Sequence, residues 1–250
     1  MMKIKCLSFM ELAFLSVCLI FIFLVRTKYV LSFLFSLMIL IIFENQITNY
    51  KVKLKKGKKF LYAFALVLFV YIIIQFFFNS VNTDHYTLNQ LRLLFQVPLT
   101  MTIFLGYLFQ ARLNDFNWDI TPKSFFIVVL LFILIESATI LDLQTESKTI
   151  SFYIKNFIQK LFYPSIIEEV LFRGLFINGL LAFNKREDSA NIIQSFIFGI
   201  VHIIGYKELS IVILLSTCIQ MFIGYIFGKI YIKTKSLTPC IILHALIDTL

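Results

Sequence analysis

The sequence predicts an all-α, polytopic integral membrane protein of about eight transmembrane helices, and three observations carry that class. Hydrophobic residues make up 60% of the 250 and charged residues only 15%, where soluble domains carry roughly a quarter charged. Thirty residues are Phe and the mean hydropathy is +0.89, more apolar surface than one soluble core of this length encloses. The apolar residues also come in long runs separated by short polar segments rich in Lys. A soluble enzyme, a disordered chain and a secreted disulfide scaffold are excluded. The net charge of +9 matters less than where Lys and Arg stand in a membrane chain. The expected partner is therefore the lipid bilayer and not nucleic acid.

The opening Met-Met-Lys-Ile-Lys before an apolar run has the outline of a signal peptide. No small-residue cleavage site follows, and Val25-Arg26-Thr27-Lys28 leads straight into another run, so Met10–Val25 is expected to be a retained first span. Tyr29–Phe43 follows closely enough to form a tight helical hairpin with it. Phe60–Phe78, Leu91–Phe109 and Phe125–Leu141 are the next runs, and then Pro164–Phe183, Asn191–Gly205, Leu209–Ile232 and Pro239–Leu250. Between them, Ser151–Tyr163 sets Phe152, Ile154, Phe157, Ile158, Leu161 and Phe162 against Lys155, Asn156, Gln159 and Lys160. That is the pattern of a helix lying along the interface, with Pro164 starting or kinking the next one.

Six lysines between Lys51 and Lys59 form the densest charge cluster, and the positive-inside rule puts that loop, Lys3 and Lys5 in the cytoplasm. Counting onward, Asn79–Gln90 falls outside, Gln110–Lys123 inside, Asp142–Thr149 outside and Lys185–Asp188 inside, with Lys229, Lys233 and Lys235 also inside. The expected location is the cell membrane, multi-pass, with the N-terminus cytoplasmic. Cys6, Cys18, Cys218 and Cys240 show no metal-like CxxC spacing and read as small membrane-compatible residues. Glu11 and Glu136, near span ends, are expected to snorkel to the interface. Gln96 and Gln220 are expected to bond between helices or to line a cavity.

Ionisable residues at membrane depth are costly unless paired or wet, and three groups of them fall in the last ninety or so residues. Glu168-Glu169-Val170-Leu171-Phe172-Arg173 lies inside an apolar run. Glu169 and Arg173, four apart, share a helix face and can pair, whereas Glu168 points about 100° away and can face a cavity as a general base. The competing reading is an ion-pair cluster that only ties helices together. Phe198-Gly199-Ile200-Val201-His202 sets Phe and His on one face, with Gly199 allowing close helix approach. His244-Ala245-Leu246-Ile247-Asp248 sets a carboxylate one turn from an imidazole, able to orient it. The remaining histidine, His85, falls in an expected outer loop.

These three groups, EExxxR, FxxxH and HxxxD in that order on successive apolar helices, resemble the CAAX protease and bacteriocin-processing family of intramembrane endopeptidases, also called the Abi family. The resemblance covers roughly the last hundred residues. It implies a protease core at 151–250, with the helices of 1–150 as scaffold, and peptide-bond hydrolysis near a cytoplasm-facing intramembrane cavity. Carried over residue by residue, Glu168 activates water with help from His202, Glu169 and Arg173 pair and hold the helix, and His244 and Asp248 serve the oxyanion side or bind metal. An Asn amide can donate to an oxyanion whereas an ionised Asp repels it, so Asp248 must be protonated, orient His244 or ligate a metal. Catalysis by glutamate without a cofactor is the first expectation, and zinc held by Glu168, His202 and His244 is the second. The expected partner is a peptide or membrane-protein substrate. A catalytically silent scaffold or immunity protein, or less favoured a proton-coupled transporter, are the alternatives. The Phe-, Ile- and Lys-rich composition is of a bacterial kind.

Two spacings are awkward. Glu168 lies about 24 Å of helix from Asn184, while His244 lies only about 8 Å from Pro239, so the helices are expected to be tilted, staggered or broken. A last run of twelve residues from Pro239 to Leu250 is too short to span alone. It is expected to end in mid-membrane against protein, or to belong to a longer natural chain.

Overall fold

The computed structural model describes residues 7–80, 108–142, 148–204 and 210–250. In chain order its helices are α1 (Phe9–Val25), α2 (Thr27–Ile47), α3 (Lys58–Ser80), α4 (Pro122–Ile135), the short α5 (Ser137–Asp142) and α6 (Ile150–Lys160). They continue with α7 (residues 166–182), α8 (Glu187–Val201), α9 (Ile211–Thr234) and α10 (Thr238–Ile247). Eight of the nine expected runs lie on these helices, and no strand occurs among the described residues. Most of the ninth run, Leu91–Phe109, lies outside the described residues, as do His85, Gln96, Cys6, Lys3, Lys5 and most of the expected outer loops. Two described helices, α2 and α9, are long and apolar enough to cross a membrane.

Local chemistry sets several boundaries. Ser8 and Glu11 close a reciprocal capping box at the start of α1, Glu11 Oε2 accepting from the Ser8 N–H at 2.9 Å. Only Arg26 separates α1 from α2, the hairpin expected from the sequence. Thr121 caps α4, with Pro122 in its first turn. The amphipathic α6 gives way to a break at Tyr163, whose φ of −149° and ψ of 124° are extended, as a residue before proline prefers. Beyond it α7 runs through Ile166–Glu169, a wider π-type stretch at Val170–Ile177 and Asn178–Ala182 without interruption. The break and the wide turn are how the helix departs from regular spacing.

Large apolar side chains face outward along the N-terminal helices while their few carboxylates face inward. On α1, Phe9 is 85% exposed and Met10, Leu12, Val17, Ile20, Phe23 and Leu24 also face out, while Glu11 is only 3% exposed. Such a surface is costly in water and matches hydrocarbon. Glu11 therefore does not snorkel as expected: its carboxylate accepts from the Tyr225 hydroxyl at 2.7 Å and the Lys229 ammonium at 2.8 Å. Glu44, on the buried face of α2, lies 3.4 Å from Lys233 and 3.9 Å from Lys229. A carboxylate facing lipid has no counter-charge, and α9 supplies two across the bundle. Glu136 is half-buried and lines a cavity of about 290 Å³ with Arg26, Tyr29, Ser216 and Gln220, so Gln220 faces that space rather than the one beside Glu168.

The segments expected on one side of the membrane meet at one end of the bundle. Lys55 and Lys59 pair with Asp115, Lys59 also donates to Gln110 O, the Asn49 N–H donates to Lys233 O, the Leu237 N–H donates to Asn117 O and Lys235 pairs with Glu187. At Asp115 desolvation works upward, but the hydrogen bonds from Lys55 and the Arg112 N–H, with the charge of Lys59, outweigh it and hold the carboxyl below its ordinary value.

Because lipid supplies no hydrophobic force between helices, close packing and polar contacts must hold them together. Gly199 on α8 leaves room for Thr217 and Met221 on α9, and Gly224 and Gly228 on α9 leave room for Phe198 and Asn191 on α8. On the other flank α3 packs antiparallel to α7. Phe64 stacks on Phe176 with ring centroids 3.9 Å apart, and a Cβ at Gly179 would lie 2.7 Å from the Leu61 backbone. Gly179→Ala is expected to lower stability by about 1–3 kcal/mol, the range for overpacking against unyielding atoms. Gly57→Ala, which meets only side-chain atoms at 3.3 Å or more, is expected to change it little. Thermal unfolding in detergent of the two variants side by side checks this.

Candidate active site

The centre of the site is built by α7. Its adjacent glutamates fall into different surroundings: Glu169 and Arg173 are both 0% exposed, whereas the Glu168 side chain is 17% exposed. The Arg173 guanidinium donates through Nη1 to Glu169 Oε1 at 3.0 Å and through Nη2 to the Gly224 carbonyl on α9 at 3.1 Å. Its plane is enclosed by Phe198 and Phe227, 4.7 and 5.0 Å from their ring centroids. This is the apolar, aromatic setting that a weakly hydrated guanidinium tolerates and an ammonium does not.

Glu169 Oε1 also meets His244 Nδ1 at 2.8 Å. A carboxylate oxygen accepts, so Nδ1 carries the proton and the tautomer of His244 is set by Glu169. The opposite nitrogen, Nε2, stands 3.8 Å from Glu168 Oε2 and 3.8 Å from Asp248 Oδ2. Phe227 stacks on the His244 ring at 5.1 Å. On α8, His202 Nδ1 lies 2.6 Å from the Phe198 carbonyl. A carbonyl only accepts, so Nδ1 is the protonated nitrogen and Nε2 of the neutral ring keeps its lone pair.

Glu168 and His202 share the wall of a cavity of about 70 Å³ with Leu68, Tyr71, Leu171, Phe172 and Val201. At about 30 Å³ of liquid per water, that is room for roughly two waters. Glu168 Oε2 is buried and has no hydrogen-bond partner among the described residues. All six residues singled out in the sequence, Glu168, Glu169, Arg173, His202, His244 and Asp248, thus gather from α7, α8 and the end of α10.

Among the described residues, no three His, Cys, Asp or Glu side chains are grouped to hold a metal ion. The Nδ1 atoms of His202 and His244 are committed to Phe198 O and to Glu169, which leaves only their Nε2 atoms as donors. If zinc were bound, those Nε2 atoms and the Glu168 carboxylate are the atoms that would hold it.

Sequence reasoning missed the polar chain behind the site. Gln194 donates to the Gly224 carbonyl at 2.8 Å, beside Arg173, and to Asn191 Oδ1 at 3.1 Å, and Asn191 donates to the Tyr225 carbonyl at 3.1 Å. The signal was present: Asn191, Gln194 and Phe198 fall on one face of α8. Tyr71, on α3, was also missed, since its contact with the site depends on packing between distant segments.

Residues 150–250 match the family described as Rce1-like, type II CAAX prenyl endopeptidase Rce1-like. The match covers the same stretch as the ordered motifs Glu168-Glu169…Arg173, Phe198…His202 and His244…Asp248. No curated protein and no solved structure matches the chain.

Arg173→Ala leaves Glu169 buried without its charge partner and is expected to cost about 3–5 kcal/mol. Glu169→Gln combined with Arg173→Met removes both charges and is expected to cost less than Arg173→Ala alone. Unfolding midpoints of the three proteins in one detergent decide it.

Proposed function

We propose that the protein is an intramembrane endopeptidase in which Glu168 activates a water for attack on a peptide carbonyl. The observation that carries this is the Glu168 carboxylate, with a buried oxygen lacking a protein partner, facing His202 across a cavity with room for roughly two waters. Glu168 takes a proton from the water as its oxygen bonds to the carbonyl carbon, and the C=O π electrons move onto the carbonyl oxygen. Collapse of that intermediate re-forms C=O, breaks C–N and returns the proton from Glu168 to the leaving nitrogen. His202 Nε2 accepts a hydrogen bond from the attacking water and aligns it. Glu169, held by Arg173, fixes the tautomer of His244. Asp248, close to His244 Nε2, steadies the ring and any positive charge it takes up, so an acid at this position is no obstacle if the oxyanion finds its donor elsewhere.

The substrate is a membrane-associated peptide. The printed description of the matching family points to a prenylated C-terminal segment, and the bacterial-type composition to a leader peptide, pheromone or membrane-protein loop. The lysine-bearing end of the bundle faces the cytoplasm of a cell membrane under the positive-inside rule. Residues 151–250 form the protease core and the earlier helices its support.

The test is cleavage by detergent-purified protein of a randomised peptide library and of a peptide ending in a farnesylated CAAX box, read by mass spectrometry. Glu168→Gln is expected to reduce cleavage roughly 100- to 10,000-fold, the contribution of a positioned base, and a strong chelator to leave wild-type cleavage unchanged. Loss in chelator moves the chemistry to zinc. Full activity in Glu168→Gln refutes the glutamate base, and no cleavage of any peptide by wild type leaves the silent peptide-binding scaffold as the function.

A further inference from the structure

Room for roughly two waters beside Glu168 is not room for a peptide, so cleavage requires part of the structure around the site to move. Most of that structure is tied. Gln194 and Asn191 pin α8 to carbonyls of α9, and Arg173 ties α7 to the Gly224 carbonyl. The α3 helix is packed on α7 through Phe64 and Gly179, and α10 is buried along Leu243, His244 and Ala245.

The amphipathic α6 is held differently. Among the described helices of ten or more residues, it alone has no buried side chain. Its inner face, Tyr153, Asn156, Phe157 and Lys160, is only partly buried, while Ile150, Ile154 and Ile158, continued by Phe162, are each at least half exposed. That outward stripe matches hydrocarbon. Among the described residues, one side-chain hydrogen bond ties α6 to the rest of the bundle: Asn156 donates to the Thr249 carbonyl at 2.8 Å. Both ends of the attachment adjoin the site. Thr249 follows Asp248, which lies 3.8 Å from His244 Nε2. The extended residue Tyr163, where the chain passes from α6 to α7, lies within electrostatic reach of Glu168. A break of that kind between two helices can absorb a swing in a few backbone dihedrals.

We propose that α6 is a side gate through which a peptide segment lying in the bilayer reaches Glu168. This rests on the endopeptidase reading above. With Asn156 on the Thr249 carbonyl the gate is shut. Release of that bond lets α6 turn outward about Tyr163, where its apolar stripe stays in hydrocarbon, and opens the seam between α6 and the end of α10 beside Asp248. The substrate class that follows is a membrane-embedded segment entering sideways from the lipid, not a peptide arriving from water.

The experiment reconstitutes the protein with a library of transmembrane peptides in phosphatidylcholine vesicles and follows whichever peptide wild type cuts fastest. Asn156→Cys and Thr249→Cys are combined, with Cys6, Cys18, Cys218 and Cys240 replaced by Ala, and joined by a short bis-methanethiosulfonate crosslinker. Crosslinking is expected to stop cleavage in proportion to the joined fraction. A thiol reductant is expected to restore it in the same sample, which separates a shut gate from a misfolded protein. Asn156→Ala, which releases the bond, is expected to raise kcat/KM roughly 2- to 10-fold, the worth of one net hydrogen bond. Equal rates with and without the crosslink, while Glu168→Gln is inactive, overturn the gate and leave the protease reading standing. Unchanged kcat/KM in Asn156→Ala, or failure of the two cysteines to be joined, overturns it as well. Full activity in Glu168→Gln sinks the parent mechanism instead.

Discussion

The rest of the structure depends on neutralising one carboxylate in an apolar interior. Glu169 has no exposure, and an unpaired charge there costs several kcal/mol. Arg173, one turn along the same helix, meets that cost locally, and its second arm reaches the Gly224 carbonyl on α9. His244, from α10, completes the set. Three helices are thus tied to one carboxyl oxygen and its partner. Because the bond to Glu169 dictates which imidazole nitrogen carries the proton, the same interaction that ties the helices together also fixes the tautomer of His244.

The two flanks of α7 meet different demands. On the α9 side, Gly224 and Gly228 allow α8 to approach so closely that Gln194 and Asn191 bond to α9 backbone carbonyls. On the α3 side the contact is aromatic and tight, with Gly179 set against the Leu61 backbone and Phe64 between Phe172 and Phe176. A small cavity remains where that aromatic packing ends, and Glu168 lies on it. The tight aromatic contact between α3 and α7 thus gives way to open space beside one carboxylate.

Away from this centre the same logic operates at the lysine-rich end. Glu11 and Glu44 are turned inward to Lys229, Lys233 and Tyr225, while large apolar side chains of the same helices face out. The N-terminal helices are therefore bound to α9 by charge as well as by shape. The place of Glu11 in its run predicts a snorkelling residue, but a carboxylate three residues into α1 settles where a counter-ion is fixed, and Lys229 is more than two hundred residues away in sequence.

By itself the sequence determined the class, the helices and the ordered motifs, because hydropathy runs and i, i+4 spacings are local properties. The Glu169–Arg173 pair was legible for that reason, as were the hairpin at Arg26, the amphipathic α6 and the break before Pro164. Tertiary structure alone decided that His244 bonds Glu169 rather than Glu168, that Gln194 and Asn191 back the site, and that Tyr71 stands beside Glu168. Those outcomes depend on the rotation and register of helices packed against one another. No periodicity within a single run encodes them, since a shift of one residue along a helix turns a side chain by about 100° and moves it from the cavity to the lipid.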